Sequence, residues 1–262
     1  FVFEVRDLWP ELPREMKVIT NPIILCLMSI LEWASYHSAV TCIGLSPGII
    51  KGIQKRGISK ERTNLVPNGC DLSLFSTEAD LPWRPDTVAE SDFMAVFTGT
   101  HGVANGLDAL IETALVLKTR NRNDIKIVLI GDGKLKPTLM EKAKNLDLNN
   151  CVFHPPVSKI KLSGLIKSSD IGLMILSNIP AFYYGTSPNK FFDYIAAGIP
   201  VLNNYPGWVA DLITSNACGI AIPPENPEAC ADALEKFAND RTLKMEMGIR
   251  SRKLAEAEFS RE

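Results

Sequence analysis

An α/β chain organised around a doubly wound parallel sheet is the fold predicted by this sequence, and three observations carry it. From Phe93 onward, short apolar runs alternate with stretches of helical periodicity. The runs are apolar at consecutive positions rather than at every second one, as in strands covered on both faces. Two of them, ending at Thr98 and Ile130, pass into glycine-bearing turns that open helices.

Each element follows from its own signals. Phe1 to Val5 reads as a strand, ended by the polar cluster around Arg6 and Asp7. Asn21 or Pro22 opens a helix to about His37, because proline is tolerated in a first turn. Its apolar content fits a well-buried helix or one lying at a membrane interface, with core packing preferred. Ala39 to Leu45 is a second strand. Ser46 and Pro47 form an N-cap and N1 pair for a helix ending at Gly57. Arg62 to Val66 is a short strand, followed by a Pro67-Asn68-Gly69 turn. Residues 77–91 carry charge and proline without apolar periodicity, a linker composition. Beyond it, strands are expected at 93–98, 125–130, 151–154, 170–175, 199–202 and 219–222. Helices are expected at 106–119, 134–146, 158–168, 188–197, 207–214, 227–239 and 241–258.

Composition narrows the function classes. The net charge of −2 over 262 residues gives no basic surface for nucleic acid. No run of about twenty apolar residues marks a spanning helix. The six cysteines form no CxxC pair, and their spacing fits neither a zinc site nor a small disulfide scaffold, so a reducing compartment is expected. His37, His101 and His154 show no metal-binding spacing, and no metal site is expected. The chain opens inside a strand-like run without an initiator methionine, and a piece cut from a longer chain is expected.

In an open parallel sheet, ligands bind outside the carboxyl ends of the strands, so the strand-to-helix turns are where chemistry is sought. The turn Gly99 to Gly106 holds three glycines. Gly99 and Gly102 let backbone N–H groups approach a phosphate, and the following helix N-terminus favours an anion. The turn at Gly131 starts like a dinucleotide fingerprint, but Lys136 occupies the third glycine position and the next strand ends without the ribose-holding acid. Gly131 therefore leaves room for a ligand or for tight packing. In the loop His154 to Lys159, exposed backbone at Val157 could meet a nucleobase, or simply connect two elements. The richest turn is Tyr183 to Tyr194. Ser187 and Pro188 read as an N-cap and N1 pair, with Asn189 and Lys190 in the first turn. A cation there is unfavourable unless an anion is near, which points to phosphate. Asp193, one turn on, either accepts the hydroxyls of a ribose or pairs with Lys190 on the surface. Leu202 to Trp208 either walls the pocket or is structural. Arg6 and Asp7, crowded beside Trp9, either face a cleft or form a surface turn.

Taken in order, these segments resemble the retaining glycosyltransferases of family 4, which have the GT-B fold. The matching pieces are Arg6-Asp7-Leu8-Trp9-Pro10-Glu11, Leu45-Ser46-Pro47-Gly48, Pro67 to Asp71 ending at Phe75, Gly99 to Leu107, Leu129 to Gly133, Ser169 to Leu173, and Ser187 through Asp193 to Val201. The first and last are most similar to the WbuB-like branch, which builds bacterial surface polysaccharides. The resemblance implies a Rossmann-like donor domain at 92–262 with a terminal helix, a linker at 77–91, and part of a second Rossmann-like, acceptor-side domain at 1–76. It implies transfer of a hexosyl or N-acetylhexosaminyl unit from a nucleoside-diphosphate sugar, UDP-linked, to a glycan or polyprenyl-linked acceptor, with retention and without cofactor or metal. It further implies cytoplasmic work at the inner face of the membrane, with the 22–37 helix as the candidate for peripheral contact. The piece alone is expected to transfer weakly or not at all. The family's two carboxylates correspond to Gly185, a departure, and Asp193, the ribose ligand. Its two loop cations correspond to Thr100 and Asn105. Lys190, the helix start behind Pro188 and the Gly99–Gly102 backbone are then expected to neutralise the diphosphate, with Ser187 and Asn189 beside them. Arg6 and Asp7 would act near the sugar and acceptor. A UDP-sugar 2-epimerase and a non-catalytic nucleotide- or glycan-binding relative are the rival readings.

Overall fold

The computed structural model describes residues 1–76 and 82–261, so part of the expected linker, 77–81, lies outside the described residues. Backbone contacts group the chain into two units. One holds Phe1–Asn68, Asn178–Pro188 and Gly207–Val209; the other holds Gly69–Ser177, Asn189–Pro206 and Ala210–Glu262.

The first unit contains β1 (Val2–Val5), α1 (Glu11–Glu15), α2 (Pro22–Ser38), β2 (Thr41–Gly44), α3 (Pro47–Lys55) and β3 (Thr63–Leu65). Its strands form a parallel sheet in the order β1-β2-β3. Both long helices start as the sequence indicates. The Asn21 side chain accepts from the Ile23 amide at 2.9 Å, and Ser46 Oγ accepts from the Ile49 amide at 3.2 Å. Val5, Tyr36, Cys42, Ile49 and Ile53 make the core. The short helix α1 had no clear signal in the sequence.

The expectation that α2 packs into a core is corrected. Only Glu32 and Tyr36 of this helix are buried, while Ile23, Ile24, Leu27, Ile30, Leu31 and Trp33 are exposed. The reason is reach: seventeen helical residues extend about 25 Å, whereas strands of three or four residues extend about 13 Å. The helix outruns its sheet. Near its buried end, Tyr36 Oη donates to Glu32 at 3.0 Å, and Arg56 pairs with Glu32 at 2.6 Å. Burial raises the Glu32 carboxyl above its usual range, with Tyr36 and Arg56 opposing. Arg56→Ala would strand that carboxylate. Because Arg56 is itself partly exposed, the expected loss is about 2 kcal/mol, below the full cost of breaking a buried pair. Urea melts of the two chains would check it, and an unchanged midpoint would refute it.

The second unit holds α4 (Leu72–Ser76), β4 (Phe93–Thr98), α5 (Asp108–Thr119), β5 (Ile125–Ile130), α6 (Lys136–Asn145), β6 (Cys151–His154), α7 (Lys159–Lys167) and β7 (Ile171–Met174). After α8 (Pro180–Gly185), which groups with the first unit, come α9 (Asn189–Ala197), β8 (Val201–Asn203), α10 (Trp208–Ser215), β9 (Gly219–Ala221), α11 (Pro227–Asn239) and α12 (Arg241–Glu258). Six parallel strands run in the order β6-β5-β4-β7-β8-β9. The chain moves outward from β4 in one direction, then returns and moves outward in the other. That is the doubly wound arrangement, with its reversal between β4 and β7. All of β4 is buried, and Ala95, Phe97, Ile127, Leu129, Ile171 and Leu173 form the centre of the core.

Helix starts deviate where the backbone forbids them. The helix expected from 106 begins at Asp108, because Gly106 sits in the left-handed region at φ 55° and closes a 3-10 turn over Val103–Asn105. At the amino ends of the strands, Asp170 accepts from the Met94 amide at 2.8 Å and pairs with both Arg84 and Lys244. This ties the residues before β4, the start of β7 and α12 together. Among the described residues, no helix is long and apolar enough to cross a membrane.

Candidate functional site

The register aligns Thr98 with Ile130 and Ile130 with His154, so the turns after β4, β5 and β6 open along one edge of the sheet. The first two interlock through backbone. Gly99 donates to the Ile130 carbonyl at 3.0 Å, and His101 donates to the Asp132 carbonyl at 2.8 Å. A Cβ at Gly131 would lie 1.9 Å from the Gly99 carbonyl oxygen, and one at Gly133 would lie 2.6 Å from that of His101. Close packing of one turn on the other is therefore enough to demand a glycine at 131. Lys136 Nζ donates to the carbonyls of Gly131 (2.7 Å) and His154 (3.1 Å), bracing the second turn against the third. Thr98, Gly99, Thr100, Gly131, Asp132, Pro156 and Val157 line a cavity of about 320 Å³. Gly102 stands one residue past His101 in the same turn.

Helix α9 presents two faces to two places. Tyr194 docks it: its hydroxyl lies 3.1 Å from the Thr98 amide and 3.2 Å from the Val96 carbonyl, and its ring covers Gly172, where a Cβ would come within 2.3 Å. Lys190, one turn earlier on that face, is thereby carried to the end of β4. Its Nζ lies 4.0 Å over the Phe97 ring, donates to Asn105 Oδ1 at 3.2 Å, and would be 3.3 Å from a Cβ on Gly99. No carboxylate pairs with it among the described residues, so the alternative Lys190–Asp193 ion pair is not formed. Burial without a counter-charge lowers the Lys190 amine to about 7.

Asn189 and Asp193 share the other face. Together with Gly69, Asp71, Lys159 and Arg261 they line a separate polar cavity of about 230 Å³. Asn189 thus stands beside Asp193 rather than among the glycine turns where a diphosphate contact was expected. Burial raises the Asp193 carboxyl, Lys159 and Arg261 pull it down, and Asp71 pushes it up. Arg261 is brought in by the end of the chain: Cys70 donates to the Phe259 carbonyl, and Arg261 donates to the Cys70 carbonyl at 3.1 Å. Nothing in the sequence tied Asp71, Lys159 or Arg261 to Asp193, from which all three are remote.

His101 carries no metal-binding spacing in the sequence, yet it is the most unusual group here. It is fully buried, and neither ring nitrogen has a hydrogen-bond partner among the described residues. Phe97 and Phe153 flank it. Burial and Lys136 lower its pKa, so it is held neutral. The remaining expected residues belong to the first unit. Ser187 accepts from the Asn68 amide at 3.2 Å, and the Asn68 side chain donates to the Ser187 carbonyl. Arg6 is exposed, 3.9 Å from Glu4. Asp7 is open to solvent, although surrounding protein raises its carboxyl above the usual range, with Arg6 opposing. Asn204, in the turn after β8, holds the end of β7 by accepting from the Leu176 amide at 2.9 Å and donating to its carbonyl, a structural task. Among the described residues, no three His, Cys, Asp or Glu side chains converge as a metal set.

Residues 83–254, spanning the six-stranded sheet and its turns, match the family model described as Glycosyl transferases group 1. The chain belongs to this family. Among curated relatives of this group 1 chain, the D-inositol 3-phosphate glycosyltransferase of Arthrobacter sp. (strain FB24) is 23% identical over 72% of the chain and 44% of the relative. The capsular polysaccharide biosynthesis glycosyltransferase CapM of Staphylococcus aureus is 20% identical over 89% of the chain and 61% of the relative. The group 1 chain thus spans about half the length of the curated relatives it matches. Its fold is similar to that of WaaG, a glycosyltransferase involved in lipopolysaccharide biosynthesis (TM-score 0.73, 19% identity, 98% of this chain and 70% of that one). It is equally similar to Anabaena Alr3699/HepE in complex with UDP (TM-score 0.75, 14% identity, 99% and 68%). These neighbours share the GT-B fold.

Proposed function

We propose that this group 1 chain supplies the donor half of a glycosyltransferase that takes a UDP-sugar and passes the sugar, with retention, to a glycan or lipid-linked glycan. The observation that supports it most is the meeting of an uncompensated lysine with an open glycine turn. The Gly99 and His101 amides are spent on the neighbouring turn, so the donors left for a diphosphate would be the Thr100 and Gly102 amides, the amino terminus of α9 and the Lys190 ammonium. Negative charge grows on that diphosphate as the sugar departs, and donors already in position stabilise it without reorganising. The uracil would lie in the cavity beside Val157, and the ribose hydroxyls would reach Asp193 around the start of α9. Titration of the full chain with UDP tests the reading, and no heat at millimolar UDP would overturn it. The two faces of α9 give a sharper prediction. Asp193→Asn should weaken UDP binding by about tenfold, the worth of a hydrogen bond to a charged group, while leaving pyrophosphate binding unchanged. Equal losses for both ligands would place Asp193 elsewhere.

Gly185 favours a second reading. It stands where the resemblance expects a carboxylate beside the donor sugar, and nucleotide binding without transfer is the outcome if nothing replaces that acid. UDP binding combined with no UDP release from any UDP-sugar, in the presence of glycan acceptors, would decide for it.

A further inference from the structure

Asn105 stands where the resemblance expects a loop cation. Its side chain faces two ways at once: Oδ1 accepts from Lys190 Nζ at 3.2 Å, and Nδ2 donates to the Thr100 carbonyl at 2.7 Å. Both partners belong to the place proposed for the diphosphate. Asn105 itself is fixed by the 3-10 turn, donating its amide to the Gly102 carbonyl at 3.2 Å, with Gly106 left-handed behind it. Lys190 is a long side chain with several rotamers, and immobilising one costs free energy on binding. Phe97 holds its charge from below, and only Asn105 gives it a direction among the described residues.

We infer that Asn105 is a positioning residue: it replaces a loop cation by an amide bridge that aims the Lys190 ammonium, delivered from α9, at the glycine turn. The inference rests on the donor reading for its purpose, not for its geometry. A neutral amide is suited to the task. A carboxylate at 105 would pair with Lys190 and compete with the diphosphate, and a hydrocarbon would leave the amine unaimed. Each phosphate group carries acceptor oxygens for the ammonium's remaining protons. Lys190 and Lys136 both act on the neighbouring His101, which is held neutral, and Asp132 opposes them.

The test has two arms, both on the full chain. The first needs no nucleotide: the titration of Lys190 is followed by carbon NMR at its ε position. Asn105→Ala should lower the midpoint, because the charged form loses an acceptor, and Asn105→Asp should raise it. The second is a double-mutant cycle for UDP binding with Asn105→Ala and Lys190→Ala. Asn105→Ala should weaken binding by about tenfold alone and by little in the Lys190→Ala background. Asn105→Gln, able to restore the acceptor, should recover part of the loss. Midpoints unmoved in both variants, or losses that simply add, would overturn the inference. Absence of UDP binding by the unsubstituted chain would overturn the donor reading, with the lysine titration still deciding the bridge.

Discussion

Lys190→Ala is expected to weaken UDP binding by about ten- to a hundredfold and to flatten its dependence on pH. The magnitude is that of a hydrogen bond made to a charged group in a water-poor site. The pH effect follows from the direction of the lysine shift. In the free chain the amine titrates at about 7, since it is buried without a counter-charge. A bound diphosphate supplies that charge and raises the midpoint. Between the two values the complex holds a proton that the free chain lacks. Affinity is then fully present below about pH 7 and falls as pH rises above it, by up to about tenfold per unit. The phosphate's own last ionisation, near pH 6, acts in the opposite sense and survives the substitution. Calorimetry in two buffers of different ionisation heat would show proton uptake by the unsubstituted chain near pH 8 and none by Lys190→Ala. Matching profiles for the two chains would remove Lys190 from the site.

The second large effect is expected at Gly131. An alanine there would place its Cβ 1.9 Å from the Gly99 carbonyl oxygen, at a φ of 145° that L residues rarely adopt. Neither strain can be relieved by a side chain, because the obstacle is backbone held in the register of β4 and β5. The turns must part, at a cost of about 2–4 kcal/mol, and the amides that would meet the diphosphate part with them. Gly185→Ala is the matched control, since nothing lies within 4 Å of a Cβ there. Urea melts should shift for the first variant and not for the second, and UDP affinity should fall with the first. An unchanged melt for Gly131→Ala would show that the two turns are not locked.

Much of this was legible in the residues. β4, β5 and β6 fall at the expected positions because buried parallel strands announce themselves as unbroken apolar runs bounded by polar turns. Lys190 stood out because a cation in a first helical turn is anomalous unless something nearby is negative. What could not be read was direction. Asn189, Lys190 and Asp193 lie within five positions, yet the helix turns Lys190 to the end of β4 and the other two to a polar cavity, and which face meets β4 depends on Tyr194 finding the gap over Gly172. Gly131 could not be assigned to ligand or packing, since both demand the missing side chain. Partners distant in sequence, such as Arg261 for Asp193, become visible only when the fold closes. The exposure of α2 is not legible in its residues, because apolar content measures what a helix can bury, not how much sheet is present to receive it.

The Asp170 clasp has a consequence for engineering. It gathers the residues before β4, the start of β7 and α12 at the rim of the sheet opposite the glycine turns. The ion-pair cluster and the turns proposed to hold a nucleotide thereby sit at different ends of the same strands. Reinforcing ion pairs around Arg84 and Lys244 offers a way to harden the protein for crystallisation or storage while leaving its recognition chemistry as nature set it.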